Sequence, residues 1–188
     1  MAKSAIILLH EIYGKNDFIC EMQSYYKSLG YEVVVLDFYN GKTFSYDNMN
    51  AAYDYYNYKV GFRVDSFVIS LAFSMKQLYE KVFVIGFSVG ATLAWISSQS
   101  NYIDKTVCIY GSRIRDYCKI LPKNETLLLV AKQDSYDVDS LVDEMMEKEN
   151  VITKCFDAQH GFMDAYSQHF DEICFELAKD EILKFIQK

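Results

Sequence analysis

Six short apolar runs, set at intervals along 188 residues, constrain this chain more than any other feature. They are Ala5–Leu9, Glu32–Asp37, Lys81–Gly86, Thr106–Tyr110, Thr126–Ala131 and Val151–Phe156. Each is rich in β-branched residues and reads as continuously apolar, the pattern of a strand covered on both faces. Between them, apolar residues recur at helical spacing. The four rows are Ile19, Met22, Tyr26, Leu29; then Val64, Phe67, Val68, Leu71, Met75, Leu78; then Val138, Leu141, Val142, Met145; and last Phe170, Ile173, Cys174, Leu177. Strand alternating with helix implies parallel pairing, because each crossover helix returns the chain in the same direction. The expected fold is α/β, one domain over 1–188, with a doubly wound sheet of about six parallel strands flanked by helices. In such sheets ligands bind beyond the carboxyl ends of the strands, so the residues just after each run are the informative ones.

Composition narrows the class. Hydrophobic residues make up 51% and charged residues 24%, a globular balance. A chain of this size buries roughly 70% of its unfolded surface, enough for a core without disulfides. The longest apolar runs, Ala5–Leu9 and Leu127–Ala131, are far shorter than the ~20 residues of a membrane helix. Met1-Ala2-Lys3-Ser4 leads straight into the first run with no room for a signal-peptide core, so a soluble cytoplasmic protein is expected. Net charge is −7 with no Lys/Arg block, which argues against nucleic acid as a partner. The five cysteines form no C-x-x-C pair and are expected to be reduced thiols.

The third run ends in Gly86-Phe87-Ser88-Val89-Gly90 and passes directly into a helical stretch from Ala91. This is the G-x-S-x-G elbow at a strand-to-helix turn. Side chains at Gly86 or Gly90 would crowd helix against strand, and the turn lifts the Ser88 hydroxyl clear of the sheet. The helix end beneath it supplies partial positive charge and the N–H of Val89, both suited to a developing oxyanion.

An acid after the fifth run and a histidine after the sixth complete the order Ser, Asp, His. Asp134 and His160 occupy those places. Of the other histidines, His10 sits at the end of the first run and His169 falls in the last helical pattern. Asp137 and Asp139 lie near Asp134 but are better placed to cap the following helix. Ser88, His160 and Asp134 are thus the expected nucleophile, general base and orienting acid.

These residues resemble the dienelactone hydrolase family of the α/β-hydrolase fold, over nearly the whole chain. The carriers are Leu8-Leu9-His10-Glu11-Ile12-Tyr13-Gly14, Gly30-Tyr31 followed by Val33–Asp37 and Phe38-Tyr39, the elbow 86–90, and His160-Gly161-Phe162. By position the resemblance implies that Ile12 joins Val89 in lending backbone N–H groups to an oxyanion hole. It also implies that Glu11 matches the family's active-site glutamate. Three departures matter. Serine stands where the family's name-giving enzymes use cysteine. The chain begins at what is usually the third strand, without the usual N-terminal hairpin. Neither arginine that holds an anionic lactone has a counterpart: Asp164 stands at one place, and no arginine precedes Ala51-Ala52-Tyr53 at the other.

The expected activity is hydrolysis of a small carboxylic ester or lactone, with no metal or organic cofactor and, by analogy, a monomer. Without arginines a buried substrate carboxylate lacks a counter-charge, so dienelactone itself is not the expected substrate. With Glu11 and Asp164 nearby, neutral or weakly cationic esters are favoured. Tyr39 at the second strand end is an expected substrate-side residue. Tyr46, Tyr53, Tyr55, Tyr56 and Tyr58 either wall an aromatic pocket or pack half-buried on an amphipathic helix. A thioesterase or small peptidase on the same residues is the alternative, and a non-catalytic binding protein on this scaffold is another.

Overall fold

The computed structural model describes residues 3–188; the expectation for Met1-Ala2 lies outside them. Six strands form one sheet: β1 (Ser4–Leu9), β2 (Glu32–Leu36), β3 (Lys81–Phe87), β4 (Lys105–Ile109), β5 (Glu125–Gln133) and β6 (Val151–Gln159). Their spatial order is β2-β1-β3-β4-β5-β6 and every pairing is parallel. The connecting helices are α1 (Asp17–Ser28), α2 (Met49–Tyr55), α3 (Asp65–Lys76), α4 (Val89–Ser97), α5 (Val138–Met146) and α6 (Glu172–Gln187).

The two faces of the sheet follow from the two-residue period of a strand. Ile6, Leu8, Phe83, Ile85 and Val107 point one way, onto α1 and α6. Ala5, Ile7, Leu9, Val82, Val84 and Cys108 point the other way, onto α3, α4 and α5. Covering both faces explains why the central runs are apolar throughout. The outer strands depart from that expectation: in β6 only Phe156 and Ala158 are buried, and Ile152 is 40% exposed. An edge strand has one neighbour and less helix above it, so its pattern loosens.

The last helix also corrects the sequence reading. Ile173 and Leu177, placed on its apolar face above, are 75% and 54% exposed. The face against the sheet is Ala178, Ile182, Phe185 and Ile186. Ile173 and Ile182 are nine residues apart, about half a turn at ~100° per residue, so two apolar stripes compete and only packing decides. Likewise Phe67 and Leu78 of the α3 pattern are exposed, whereas Val68, Ala72 and Met75 are buried. Because Ile182 is fully buried, Ile182→Ala is expected to lower unfolding free energy by about 2–5 kcal/mol in urea titration.

Between β2 and α3 the backbone is irregular. A 3-10 turn, Tyr46–Asn48, precedes α2, which runs into a π-helical turn at Tyr56–Val60. The tyrosines of this segment divide: Tyr56 is buried, Tyr53 is 41% exposed and Tyr58 is 83% exposed. No helix among the described residues is long and apolar enough to cross a membrane. All five cysteines are free.

Candidate active site

The sheet reverses its winding at β1, which lies between β2 and β3 with α1 and α3 on opposite faces. The crevice such a reversal opens beyond the strand ends is where the candidate residues converge. β3 ends at Phe87 and α4 begins at Val89, so a single residue, Ser88, makes the turn. It does so at φ 53°, ψ −114°, a conformation L-residues rarely hold and one that clusters at functional sites. Both flanking glycines are sterically required. A Cβ on Gly86 would lie 2.1 Å from the Gly90 carbonyl oxygen, and one on Gly90 would lie 2.5 Å and 2.6 Å from those of Leu9 and His10. Gly90→Ala therefore forces α4 off β1, and we expect a loss of about 3 kcal/mol or more by thermal melting, together with loss of any Ser88-dependent activity.

The Ser88 hydroxyl lies 2.9 Å from His160 Nε2, and His160 Nδ1 lies 2.7 Å from Asp134 Oδ2. The strand register explains the second contact. β5 and β6 stay paired to Gln133 opposite Gln159, with an irregularity between Ala131 and Gln133. Asp134 and His160 are the next residues on each strand, so the pairing delivers them side by side and the bulge re-aims them. The other Asp134 oxygen accepts from the Ser135 N–H at 2.6 Å and the Ser135 hydroxyl at 3.2 Å. Burial opposes charge on His160, but the hydrogen bond and negative charge of Asp134 outweigh it and raise the imidazole above its ordinary value. For Asp134 burial is likewise outweighed, by His160 and Ser135, and its carboxyl is lowered. Asp137 caps α5 by accepting from the Ser140 N–H, and Asp139 lies in the first turn.

The turn after β1 is tied down from inside. His10 is fully buried; its Nδ1 is 2.6 Å from the Glu11 carbonyl oxygen and its Nε2 accepts from the Phe38 N–H at 3.2 Å. That pattern needs the proton on Nδ1, and burial lowers the ring's pKa, so His10 is a neutral strut. The Gly14 N–H also reaches the Glu11 carbonyl, at 3.2 Å. With that carbonyl fixed inward, the trans Ile12 N–H points the opposite way. Tyr39, 2% exposed, donates its hydroxyl to the Ile12 carbonyl at 2.9 Å and packs its ring on His10 at 4.8 Å. It holds the Ile12 turn from behind. Val89 is the first residue of α4, where a backbone N–H has no partner within the helix.

Beside His160 lies a buried acidic cluster. Glu11 is 4% exposed. Burial and then the charge of Asp164 push its carboxyl up to about 7, against the opposing pull of His160 and Tyr110. Asp164, fully buried, accepts from the Tyr46 hydroxyl at 2.5 Å and from the Tyr166 N–H at 2.9 Å. Of the tyrosines singled out in the sequence, Tyr46 thus joins the site, whereas Tyr56 packs on Phe62 at 5.3 Å.

Three contributors escaped the sequence reading. Tyr110 follows β4 at φ 41°, its ring 5.1 Å from that of His160. Nothing in the run Thr106–Tyr110 marks that strain. Ser135, whose N–H and hydroxyl both reach Asp134 Oδ1, carries no sequence signal of its own. His169 lies ahead of α6 and not inside it, with Nδ1 3.0 Å from the His160 carbonyl oxygen. Among the described residues no three His, Cys, Asp or Glu side chains converge as metal ligands.

Comparison with known proteins agrees with this architecture. The uncharacterized protein YczH of Bacillus subtilis (strain 168) is 32% identical over 177 residues, 92% of this chain and 87% of its own. The crystal structure of a candidate dienelactone hydrolase from Klebsiella pneumoniae superposes with TM-score 0.83 at 16% identity, covering all of this chain and 87% of the other. Est1E from Butyrivibrio proteoclasticus, solved with ferulic acid bound, superposes with TM-score 0.68 at 14% identity over all of this chain and 92% of its own. At those identities the structures speak for the fold. The sequence profile of the dienelactone hydrolase family matches residues 2–188, and the chain belongs to that family.

Proposed function

We propose that this protein hydrolyses a small carboxylic ester or lactone through an acyl-enzyme on Ser88. The observation that carries this reading is the hydroxyl–imidazole–carboxylate series, 2.9 Å and 2.7 Å between its members, on an elbow that holds the serine strained. In the mechanism the Ser88 Oγ–H bond breaks, its proton passes to His160 Nε2, and Oγ bonds to the substrate carbonyl carbon. The carbonyl π electrons move onto oxygen, and the N–H groups of Val89 and Ile12 stabilise that oxyanion. Its collapse expels the alkoxide, which takes the proton from His160 and leaves as alcohol. Water then repeats the sequence on the acyl-enzyme: His160 takes a water proton, hydroxide adds to the carbonyl, and Ser88 departs with that proton. Asp134 keeps the His160 Nδ1 protonated and stabilises the transient imidazolium.

Rapid mixing with p-nitrophenyl esters of increasing acyl length tests the proposal. A burst of about one p-nitrophenol per enzyme, followed by slower turnover, is expected because formation and hydrolysis of the acyl-enzyme are separate steps. Absence of turnover on the whole panel would count against it. A marked preference for matched thioesters would move the reading to a thioesterase on the same residues.

A further inference from the structure

β6 ends at Gln159, so His160 is the first residue the sheet no longer holds. The chain beyond it turns at Gly161, at φ 87°, and reaches α6 through a series of tight turns. At the start of this loop the carbonyls are tied down one by one. Those of Gln159, Gly161 and Phe162 accept from the backbone N–H groups of Phe162, Asp164 and Asp171, at 3.2 Å, 3.0 Å and 3.1 Å. The carbonyl of His160 accepts instead from a side chain, His169 Nδ1, at 3.0 Å.

His169 is itself held. Its N–H donates to the Ser167 hydroxyl at 3.1 Å, and Gln168 Nε2 lies 3.3 Å from its Nε2. A carbonyl can only accept, so His169 Nδ1 carries the proton. Nε2 of the neutral ring is then an acceptor, and the Gln168 amide is the donor that favours this tautomer. Two residues on, Asp171 donates its N–H to Phe162 and caps α6 by accepting from the Cys174 N–H at 2.9 Å. Phe162 is fully buried against Phe156 and Tyr110, with ring centroids 5.1 Å and 5.5 Å away. His169 thus moors the His160 peptide to a part of the loop that is fixed at both the core and the start of α6.

We infer that His169 is a positioning residue for the proposed hydrolysis: its Nδ1–H fixes the His160 carbonyl and so keeps the His160 ring in line between Asp134 and Ser88. The inference rests on the hydrolase reading above and extends it to a side chain that touches none of the reacting atoms. The two hydrogen bonds of the His160 ring, 2.7 Å and 2.9 Å, leave little slack. A displacement on the order of 1 Å at a reacting group costs about 10²-fold in rate. The residue after the histidine makes a tether necessary, because Gly161 has no Cβ to restrict rotation of the peptide it shares with His160.

The test compares two substitutions. His169→Ala removes the donor. His169→Asn keeps one, because the asparagine amide nitrogen is as many bonds from Cα as Nδ1 is. With p-nitrophenyl acetate, kcat is expected to fall roughly 10- to 100-fold in His169→Ala, with KM within about twofold, and to stay within about threefold of native in His169→Asn. A purely structural contact would lower the melting temperature and leave kcat of the folded protein unchanged. That pattern overturns the inference, as does a fall confined to KM or an equal fall in both variants. Should His169→Ala fold poorly, His169→Leu, which fills the space without a donor, takes its place with the same expectations. Proton NMR reads the contact without substrate. The His160 Nδ1 proton, shared with Asp134 at 2.7 Å, should give a downfield resonance that is sharp in the native protein and in His169→Asn, and broadened or lost in His169→Ala. That result supports the positioning role even if no ester is turned over, in which case only the hydrolase reading fails. A resonance equally sharp in all three proteins overturns the role even if esters are hydrolysed.

Discussion

Replacing Ser88 or His160 by alanine is expected to lower ester turnover by roughly 10⁶-fold, the scale seen when a paired serine and histidine are separated. In the proposed mechanism the two act as one unit. The hydroxyl is a poor nucleophile until the imidazole 2.9 Å away can take its proton. Without the serine, the histidine has nothing to activate. The double variant should therefore be no slower than either single one, and the residual rate should reflect the backbone N–H groups of Val89 and Ile12 acting alone. Progress curves for p-nitrophenyl acetate with the three variants check this. Multiplying losses would mean that Ser88 and His160 serve separate steps, contrary to the mechanism.

Asp134→Asn is expected to lower kcat by about 10⁴-fold while leaving the fold intact, because an amide can hold the imidazole in the wrong tautomer. The sign of the accompanying pH effect is fixed by the structure. Burial lowers the His160 pKa, and the hydrogen bond and charge of Asp134 raise it above the ordinary value of 6.5. The proposed reaction needs neutral His160, so kcat/KM should rise with pH through a midpoint above 6.5 in the native protein. With asparagine at 134 the effect of burial is opposed only by Glu11, and the midpoint should move to lower pH. Glu11 itself titrates at about 7, so the native limb belongs to the coupled pair and the comparison between proteins is the informative quantity. A limb that stays in place in Asp134→Asn would show that Asp134 does not set the charge of His160.

The sheet was readable in the sequence because burial on both faces leaves runs such as Lys81–Gly86 apolar throughout. The elbow was readable because its glycines answer a steric demand made within five residues. Ser88, Asp134 and His160 could be placed at strand ends by chain order alone. What brings Asp134 beside His160 could not be read: the Gln133–Gln159 register and the irregularity before it depend on how two strands 26 residues apart slide together. The buried stripe of α6 was misread because Ile173 and Leu177 are as apolar as Ile182 and Phe185, and only the sheet chooses between them. The strain at Tyr110, the strut from His169 and the bond from Tyr46 to Asp164 arise from long-range packing, for which local spacing carries no signal.

A fluorophosphonate probe reaches the central claim most directly, because it phosphonylates only a serine whose hydroxyl has been activated. The protein should take up one phosphonyl group per chain, with the label on the peptide containing Ser88, and uptake should vanish in Ser88→Ala and in His160→Ala. A chain that stays unlabelled under conditions that modify an ordinary serine esterase, or that carries the label elsewhere, would contradict the account.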